Sequence, residues 1–191
     1  MVQKVSKKAT SARAELSQKG MTKRFVAYLI DWYVGATLTA LPIGIVSQKL
    51  YGTMLNQNLL SFKAPYGFLA GLCGFICGLL YYLAVPLGKN KGQTFGKKLL
   101  HLKIVKEDGE DVDTKTIVLR QLVGIILIEG SLYTASVILH QLVELEFHIP
   151  VVTPLTFVGL VVSVASALLV AFHGKHRAIH DWIAKTKVVE L

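Results

Sequence analysis

The stretch RFVAYLIDWYVGATLTALPIGIV, residues Arg24–Val46, decides the fold. It contains about 23 mostly apolar residues, which is long enough to cross a bilayer as a helix. Asp31 lies inside this stretch, on nearly the same helix face as Arg24 and about 10 Å deeper. Because a carboxylate at that depth is costly in lipid, we expect Asp31 to be paired, with Arg24 as its cation, or turned toward a polar cavity.

The composition is that of a membrane protein. Of the 191 residues, 52% are hydrophobic, and a soluble domain could not cover that much apolar surface. All but Lys49 and Lys63 of the 21 lysines and arginines lie in residues 1–24, 89–120 and 174–191, and the net charge is +9. This alternation with apolar runs predicts an integral protein of the cell membrane with both termini and the middle loop in the cytoplasm. It favours anionic lipid headgroups as partners and argues against nucleic acid.

The same pattern predicts an all-α polytopic membrane protein with four transmembrane helices. Apolar runs define the four spans as residues 24–46, 65–87, 116–142 and 153–172. A basic cytoplasmic tail, residues 1–23, precedes the transmembrane domain, residues 24–189. Residues 88–115 form the cytoplasmic loop between the second and third spans.

The cytoplasmic loop has its own predicted structure. Residues 93–102, QTFGKKLLHL, have apolar side chains at helical spacing, which predicts a short interfacial helix on the inner membrane surface. LKIV at 102–105 predicts a strand, EDGE at 107–110 a turn, and DVDT at 111–114 the return strand of a small cytoplasmic β-hairpin. TKVV at 186–189 is also strand-like, and we expect it to pair with LKIV.

Three segments together resemble the RDD family of integral membrane proteins, which is named for one arginine and two aspartates. They are RFVAYLID at the start of the first span, GQTFGKKLLHLKIVKEDGE at 92–110 and HRAIHDWIAKTKVV at 176–189. The resemblance covers residues 23–189, although the family usually has fewer spans than the four predicted here. It implies that the three name-giving residues are Arg24, Asp31 and Asp181. It also matches a family arginine at the start of the third span to Arg120, and a glycine-threonine-glycine-basic motif to Gly92, Thr94, Gly96, Lys97 and Lys98.

The charged residues suggest two functions of different classes. Glu129, near the middle of the third span, is a second intramembrane carboxylate. We expect one charge network near the cytoplasmic face, formed by Arg24, Asp31, Glu129, Arg120, Arg177 and Asp181. Because intramembrane carboxylates mark ion and proton paths, the first hypothesis is a small ion- or proton-coupled transporter, or a component of one. The resemblance agrees with it, since ion transport has been proposed for some family members.

The second hypothesis is a non-catalytic accessory or scaffold subunit of a membrane complex. The same charges would then form a structural latch, and the loop at 92–110 would dock a membrane partner protein; a homo-oligomer is a further possibility. An enzyme fits poorly, because the sequence has no GxSxG, no HExxH and no phosphate loop. We therefore expect no enzymatic activity and no cofactor.

Two groups of residues recur at helical spacing and could bind a metal or sense pH. They are His140, Glu144 and His148, and His173, His176 and His180. Histidines at helix ends and membrane interfaces more often have no special role, and the first group has no evident fourth ligand. We therefore predict no metal site, and we interpret Cys73 and Cys77 as small packing residues.

Overall fold

The computed structural model describes residues 2–191, with side chains for residues 20–130 and 132–191. Within these residues the helices are α1 (Val2–Tyr51), α2 (Tyr66–Leu87), α3 (Phe95–Leu99), α4 (Thr114–Glu129), α5 (Thr134–Phe147), α6 (Val152–Phe172) and α7 (Ile179–Ile183). The strands are β1 (Leu102–Lys106) and β2 (Thr186–Glu190). Most side chains of the predicted basic cytoplasmic tail, residues 1–23, lie outside this description, so that placement stays a prediction.

Among the described residues, three helices are long and apolar enough to cross a membrane. They are residues Gly20–Tyr51 of α1, all of α2 and all of α6, and the number becomes four if α4 and α5 count as one bent span. The predicted spans 65–87 and 153–172 agree closely with α2 and α6, whereas α1 extends beyond 24–46 at both ends. Residues 116–142, predicted as one span, are not one straight helix, because α4 and α5 meet at an angle of 65°.

The bend between α4 and α5 is accompanied by hydrogen bonds from serines of two other segments. The Ser136 hydroxyl donates to the Ile126 carbonyl at 2.6 Å, and the Ser163 hydroxyl donates to the Glu129 carbonyl. Two backbone carbonyls near the end of α4 thus accept hydrogen bonds from side-chain hydroxyls. Side chains that enter the backbone hydrogen-bond ladder in this way are a common cause of helix bends. The break leaves Glu129 at the end of a helix, inside the bundle.

Glycines on α2 allow it to approach α1 closely. A Cβ added to Gly74 would lie 2.4 Å from the Thr39 carbonyl oxygen, and one added to Gly78 would lie 2.4 Å from Thr39 Oγ1. Only a residue without a side chain fits these positions, so the helices meet nearly backbone to backbone. This contact sets Tyr81, one turn further along α2, against the part of α1 that carries Asp31.

The predicted pairing of LKIV with TKVV is confirmed. Strand β1 pairs antiparallel with β2, with Leu102 opposite Glu190 and Lys106 opposite Thr186. The predicted return strand at 111–114 is wrong, since its contact with β1 is an isolated bridge from Asp111 to Val105. The sheet therefore joins the middle loop to the C-terminal segment, and it is not a hairpin.

A hydrophobic cluster fixes the sheet to the helices. It includes Ala27 of α1, Leu102 and Ile104 of β1, Ile117 of α4 and Val188 of β2. The sheet, α3 and α7 therefore lie together at one end of the helices, which we call the basic end. The predicted short helix is present there as α3, with the apolar Phe95 and Leu99 exposed.

Candidate functional site

Asp31 is buried, only 4% exposed, and is held by four donors. The Tyr81 hydroxyl donates to Asp31 Oδ1 at 2.7 Å, and the backbone N–H of Gly96 donates to the same atom at 2.8 Å. Lys97 Nζ lies 2.9 Å from Oδ2, which also accepts from the Thr94 hydroxyl. One cation and three neutral donors thus satisfy this carboxylate, and we call the four partners the Asp31 cradle.

The residues of the glycine-threonine-glycine-basic motif fold the loop onto Asp31. A Cβ on Gly96 would lie 2.4 Å from the Ala27 carbonyl oxygen, so only glycine lets α3 approach α1 this closely. Gly92 has φ of +75°, and its carbonyl accepts from the N–H of Ile104 at 2.8 Å, which places the loop beside β1. Lys98, the last residue of the motif, is exposed.

The expected pairing of Arg24 with Asp31 is wrong. Arg24 NH1 donates to the His176 carbonyl at 3.0 Å, and NH2 donates to the Val188 carbonyl. Lys97 takes the place beside Asp31, because α3 packs across α1 at the level of that carboxylate. Arg24 instead ties α1 to the C-terminal segment.

Glu129 is the second buried carboxylate, 6% exposed, and its neighbours differ from those of Asp31. Its Oε1 accepts from the Ser166 hydroxyl at 2.8 Å and from the backbone N–H of His180 at 2.7 Å. Its Oε2 lies 2.9 Å from His180 Nδ1. Glu129 therefore joins α4, α6 and α7 through a carboxylate–imidazole pair.

Arg120 and Asp181 form an ion pair beside it. Arg120 Nε and NH2 both lie 3.0 Å from Asp181 Oδ1, which also accepts from the Thr186 hydroxyl at 3.0 Å. Burial alone would raise the pKa of Asp181. The positive charge of Arg120 and the hydrogen bonds from Thr186 and Arg120 outweigh burial and lower that pKa to about 2. Asp181 is therefore ionised at any physiological pH.

His180 connects the two carboxylates, and its neighbours define its tautomer. Arg120 NH2 lies 2.9 Å from His180 Nε2. Because a guanidinium can only donate, Nε2 must accept, so the ring proton sits on Nδ1 and points at Glu129. The geometry therefore describes a neutral imidazole between an arginine and a carboxylate. A proton added to Nε2 would displace the Arg120 hydrogen bond and face Asp181 Oδ2, which is 3.8 Å away.

The six charged residues predicted as one network divide into separate contacts. Asp31 lies in its cradle, Arg24 binds backbone carbonyls, and Arg177 pairs with the exposed Glu107. The structure brings together the other three members, Glu129, Arg120 and Asp181, through His180.

His173, His176 and His180 would share a helix face only if the helix continued through Gly174, and it does not, because α6 ends at Phe172 and α7 begins at Ile179. The first group is also broken, since His148 follows the end of α5 with φ of +58°. Among the described residues, no group of three histidine, cysteine, aspartate or glutamate side chains could hold a metal.

Sequence analysis did not identify Tyr81 and Ser166 as partners of the carboxylates. The available signals were weak: Tyr81 follows the glycine-rich face of the second span, and Ser163 and Ser166 are three residues apart in an otherwise apolar span. Both signals are equally typical of helix packing in membranes.

A cavity of about 780 Å³ lies between α1 and α6 at the basic end. Its polar surface includes the following charged or titratable residues: Arg24, Tyr28, Lys97, Arg120, Glu129, Tyr133, His176, His180 and Asp181. Its apolar walls come from one face of α1 over residues 21–28 and one face of α6 over residues 163–171. The volume is within the range of small-molecule sites. Glu129 and His180 are therefore reached from this cavity, whereas Asp31 is not among its lining residues.

The model of the RDD family matches residues 19–185, which is most of the chain. The matched region includes Arg24, Asp31, Arg120 and Asp181, so it contains both buried carboxylate clusters around those residues. No curated protein and no solved structure matches the chain.

Proposed function

The chain belongs to the RDD family, and we propose that it is a small proton-coupled ion transporter, or the transporting component of one. In this proposal Glu129 and His180 bind and release the proton. The observation that carries it is a buried carboxylate–imidazole pair lining a cavity, with the second ring nitrogen of the imidazole 2.9 Å from Arg120 NH2. Histidine changes its charge near neutral pH more easily than any other side chain, and intramembrane carboxylates mark ion paths by default.

We propose the cell membrane as the location, with the basic end facing the cytoplasm. The support is the charge distribution, since Arg24, Lys97 and Lys187, one from each basic stretch, lie at that end of the helices. The cavity would then open on the cytoplasmic side of the bilayer. Because the sequence has no GxSxG, no HExxH and no phosphate loop, we propose a protein without enzymatic activity.

The proposed cycle begins with a proton arriving from the cavity at His180 Nε2. The imidazolium can no longer accept from Arg120, so Arg120 keeps only its contacts with Asp181. The new positive charge strengthens the interaction of His180 with Glu129 and adds one with Asp181. Loss of the proton restores the starting arrangement. A cation such as Na⁺ would bind preferentially when His180 is neutral, because the cluster then has one negative charge more than positive charges.

Glu129 is a better candidate than Asp31 for the titrating carboxylate. Asp31 has a cation at 2.9 Å and three further donors, so taking up a proton would disrupt several contacts at once. Glu129 has a neutral partner that can itself exchange a proton. We therefore assign a structural role to Asp31, although the sequence alone favours both carboxylates equally.

A scaffold remains the second candidate, and the Asp31 cradle favours it. A fully satisfied buried carboxylate is what a latch between α1, α2 and α3 requires, and it needs no transported ion. In that case the exposed apolar residues of α3, Phe95 and Leu99, would contact a partner protein. The two candidates predict opposite results for ion flux by the purified protein.

The test uses the full chain reconstituted in liposomes with a pH-sensitive dye inside. An imposed Na⁺ gradient should drive proton movement in the wild type. Glu129→Gln and His180→Gln should abolish it, because neither replacement titrates in this range, while the melting temperature shows whether each variant is folded. Glu146→Gln, which changes an exposed glutamate on α5, is the matched control and should keep wild-type flux.

Wild-type flux in folded Glu129→Gln would overturn the assignment of the proton site. A complete absence of flux in the wild type, under gradients of H⁺, Na⁺ and K⁺, would overturn transport and support the scaffold. Loss of flux in Glu146→Gln would show that the assay responds to glutamate loss in general.

A further inference from the structure

The cavity between α1 and α6 has the walls of a lipid-binding groove. Phe25 on α1 is 61% exposed and Leu132 is 46% exposed, and both line the cavity. Ala167 and Ala171, one turn apart on α6, are small and exposed, so they leave space beside the helix. The cavity wall is thus apolar and accessible from outside the protein.

Both walls belong to helices that can cross a membrane. Helix α1 packs mainly on α2 and α3, and α6 packs on residues 130–132, α4 and α5. The groove between α1 and α6 therefore faces the bilayer along its open side. Its α6 wall, residues 163–171, is about 12 Å long at the helical rise of about 1.5 Å per residue. That is close to the thickness of one leaflet of the hydrocarbon core, about 15 Å.

Arg24 supplies charge at the end of this groove. It is half-buried, and two of its N–H groups are directed at the carbonyls of His176 and Val188. Among the described side chains, no carboxylate lies within 4 Å of its guanidinium, whereas the other cations of the cavity, Lys97 and Arg120, each pair with an aspartate. Arg24 interacts with Asp181 only at longer range, and an arginine with no carboxylate in contact, at the polar end of an apolar groove, is suited to a phosphate group.

We infer that the groove binds an anionic phospholipid from the adjacent leaflet, with its phosphate at Arg24 and one acyl chain lying between α1 and α6. The lipid would cover the exposed apolar walls and bring a negative charge into direct contact with Arg24. The inference concerns the same cavity as the proposed proton site but not its chemistry. Lipid binding can therefore be measured whether or not the protein transports ions.

The test uses the full chain in liposomes that contain a phosphatidylglycerol carrying a diazirine at the middle of one acyl chain. After irradiation, cross-linked peptides are identified by mass spectrometry. Cross-links should concentrate on residues 163–171 of α6 and on residues 21–28 of α1. A phosphatidylcholine with the same acyl chain serves as the zwitterionic probe, and its labelling of these peptides should be about fivefold weaker, the ratio expected for one cation near the surface.

Two matched substitutions on α6 separate the groove from the ordinary lipid-facing surface. Ala167→Phe should fill the groove and remove most of this labelling. Val164→Phe adds an aromatic ring at an exposed position of the same helix outside the cavity lining, and it should leave the labelling unchanged. Arg24→Gln should remove the preference of the groove for the anionic probe over the zwitterionic probe. For each variant, labelling is measured on the folded fraction isolated by size-exclusion chromatography.

Labelling spread evenly around all membrane-facing helices would overturn the inference. The inference would also be overturned if the groove peptides were labelled equally in Ala167→Phe and Val164→Phe. The same holds if the anionic and zwitterionic probes labelled these peptides equally. None of these results depends on flux, so they leave the proposed proton site to its own test.

Discussion

Replacing Lys97 by methionine should destabilise the protein because it leaves a buried carboxylate without its cation. Lys97 Nζ lies 2.9 Å from Asp31 Oδ2, and the two side chains are 15% and 6% exposed. Methionine keeps most of the length of the lysine side chain and removes only the charge and the donors. The substitution therefore tests the ion pair with little change in packing.

The expected loss can be estimated from the geometry. Removing one partner of a buried ion pair costs about 3–5 kcal/mol. The Tyr81 hydroxyl, the Thr94 hydroxyl and the Gly96 N–H still donate to Asp31 in the variant, which puts the loss at the lower end, about 3 kcal/mol. For a chain of this size that corresponds to a decrease in melting temperature of about 6–12 °C.

The assay is thermal unfolding in detergent micelles, with Lys98→Met as the control. Lys98 is the next residue of α3 and is exposed, so its replacement makes the same chemical change without touching Asp31. We expect the free energy of unfolding of Lys98→Met to lie within about 0.5 kcal/mol of the wild-type value. In double-mutant cycles with Asp31→Asn, Lys97→Met should show a coupling of about 1–3 kcal/mol, and Arg24→Gln almost none. Equal stabilities for the two methionine variants, or coupling of Asp31 to Arg24, would refute the cradle.

Two further predictions concern close packing and acid stability. Gly96→Ala should lower the free energy of unfolding by about 1–3 kcal/mol, because the new Cβ would lie 2.4 Å from the Ala27 carbonyl oxygen. In the same denaturation assay Gly20→Ala should be neutral or stabilising, because a Cβ at Gly20 meets no atom within 4 Å. The pKa of Asp181, about 2, lies below the ordinary value of 3.8. The ionised Asp181 therefore contributes fully to the free energy of unfolding above about pH 4, and this contribution is lost as the pH falls from about 4 to about 2. Over that pH range the free energy of unfolding of the wild type should fall by about 2 kcal/mol more than that of Asp181→Asn. Identical curves of unfolding free energy against pH for the two proteins would contradict the lowered pKa.

The positions of the apolar helices were predictable because they depend on local composition. The spans at 65–87 and 153–172 agree with α2 and α6, since length and hydropathy alone define a membrane-crossing segment. The pairing of 102–105 with 186–189 was also predictable, because both segments alternate as strands do and lie in basic stretches expected on one side of the membrane.

The partner of Asp31 was not predictable from spacing within the first span. Helical geometry places Arg24 and Asp31 near one face, but it cannot say which distant residue occupies the space beside the carboxylate. Lys97 reaches Asp31 because Gly96 lets α3 approach α1. Lys97 and Asp31 are 66 positions apart in sequence. The family motif was the available signal, since its glycines and threonine had no other evident role.

The helix break after Glu129 was hidden for a similar reason. The apolar run at 116–142 is continuous, and hydropathy does not register which carbonyls are bound by hydroxyls from elsewhere. Ser163 belongs to another helix, so its hydrogen bond to the Glu129 carbonyl exists only in the folded protein. The role of His180 depends on the same break, because the bend brings Glu129 to the N-terminal part of α7.

The two buried carboxylates are connected through the C-terminal segment. Asp31 holds α3, which leads directly into β1, and β1 pairs with β2. Strand β2 follows α7, which carries His180 against Glu129, and Arg24 ties β2 back to α1 through the Val188 carbonyl. Because these hydrogen bonds form one continuous structure, we expect a change at Asp31 to affect α7 and Glu129. Under the proposed function, the cradle would then be needed for transport without binding a proton itself.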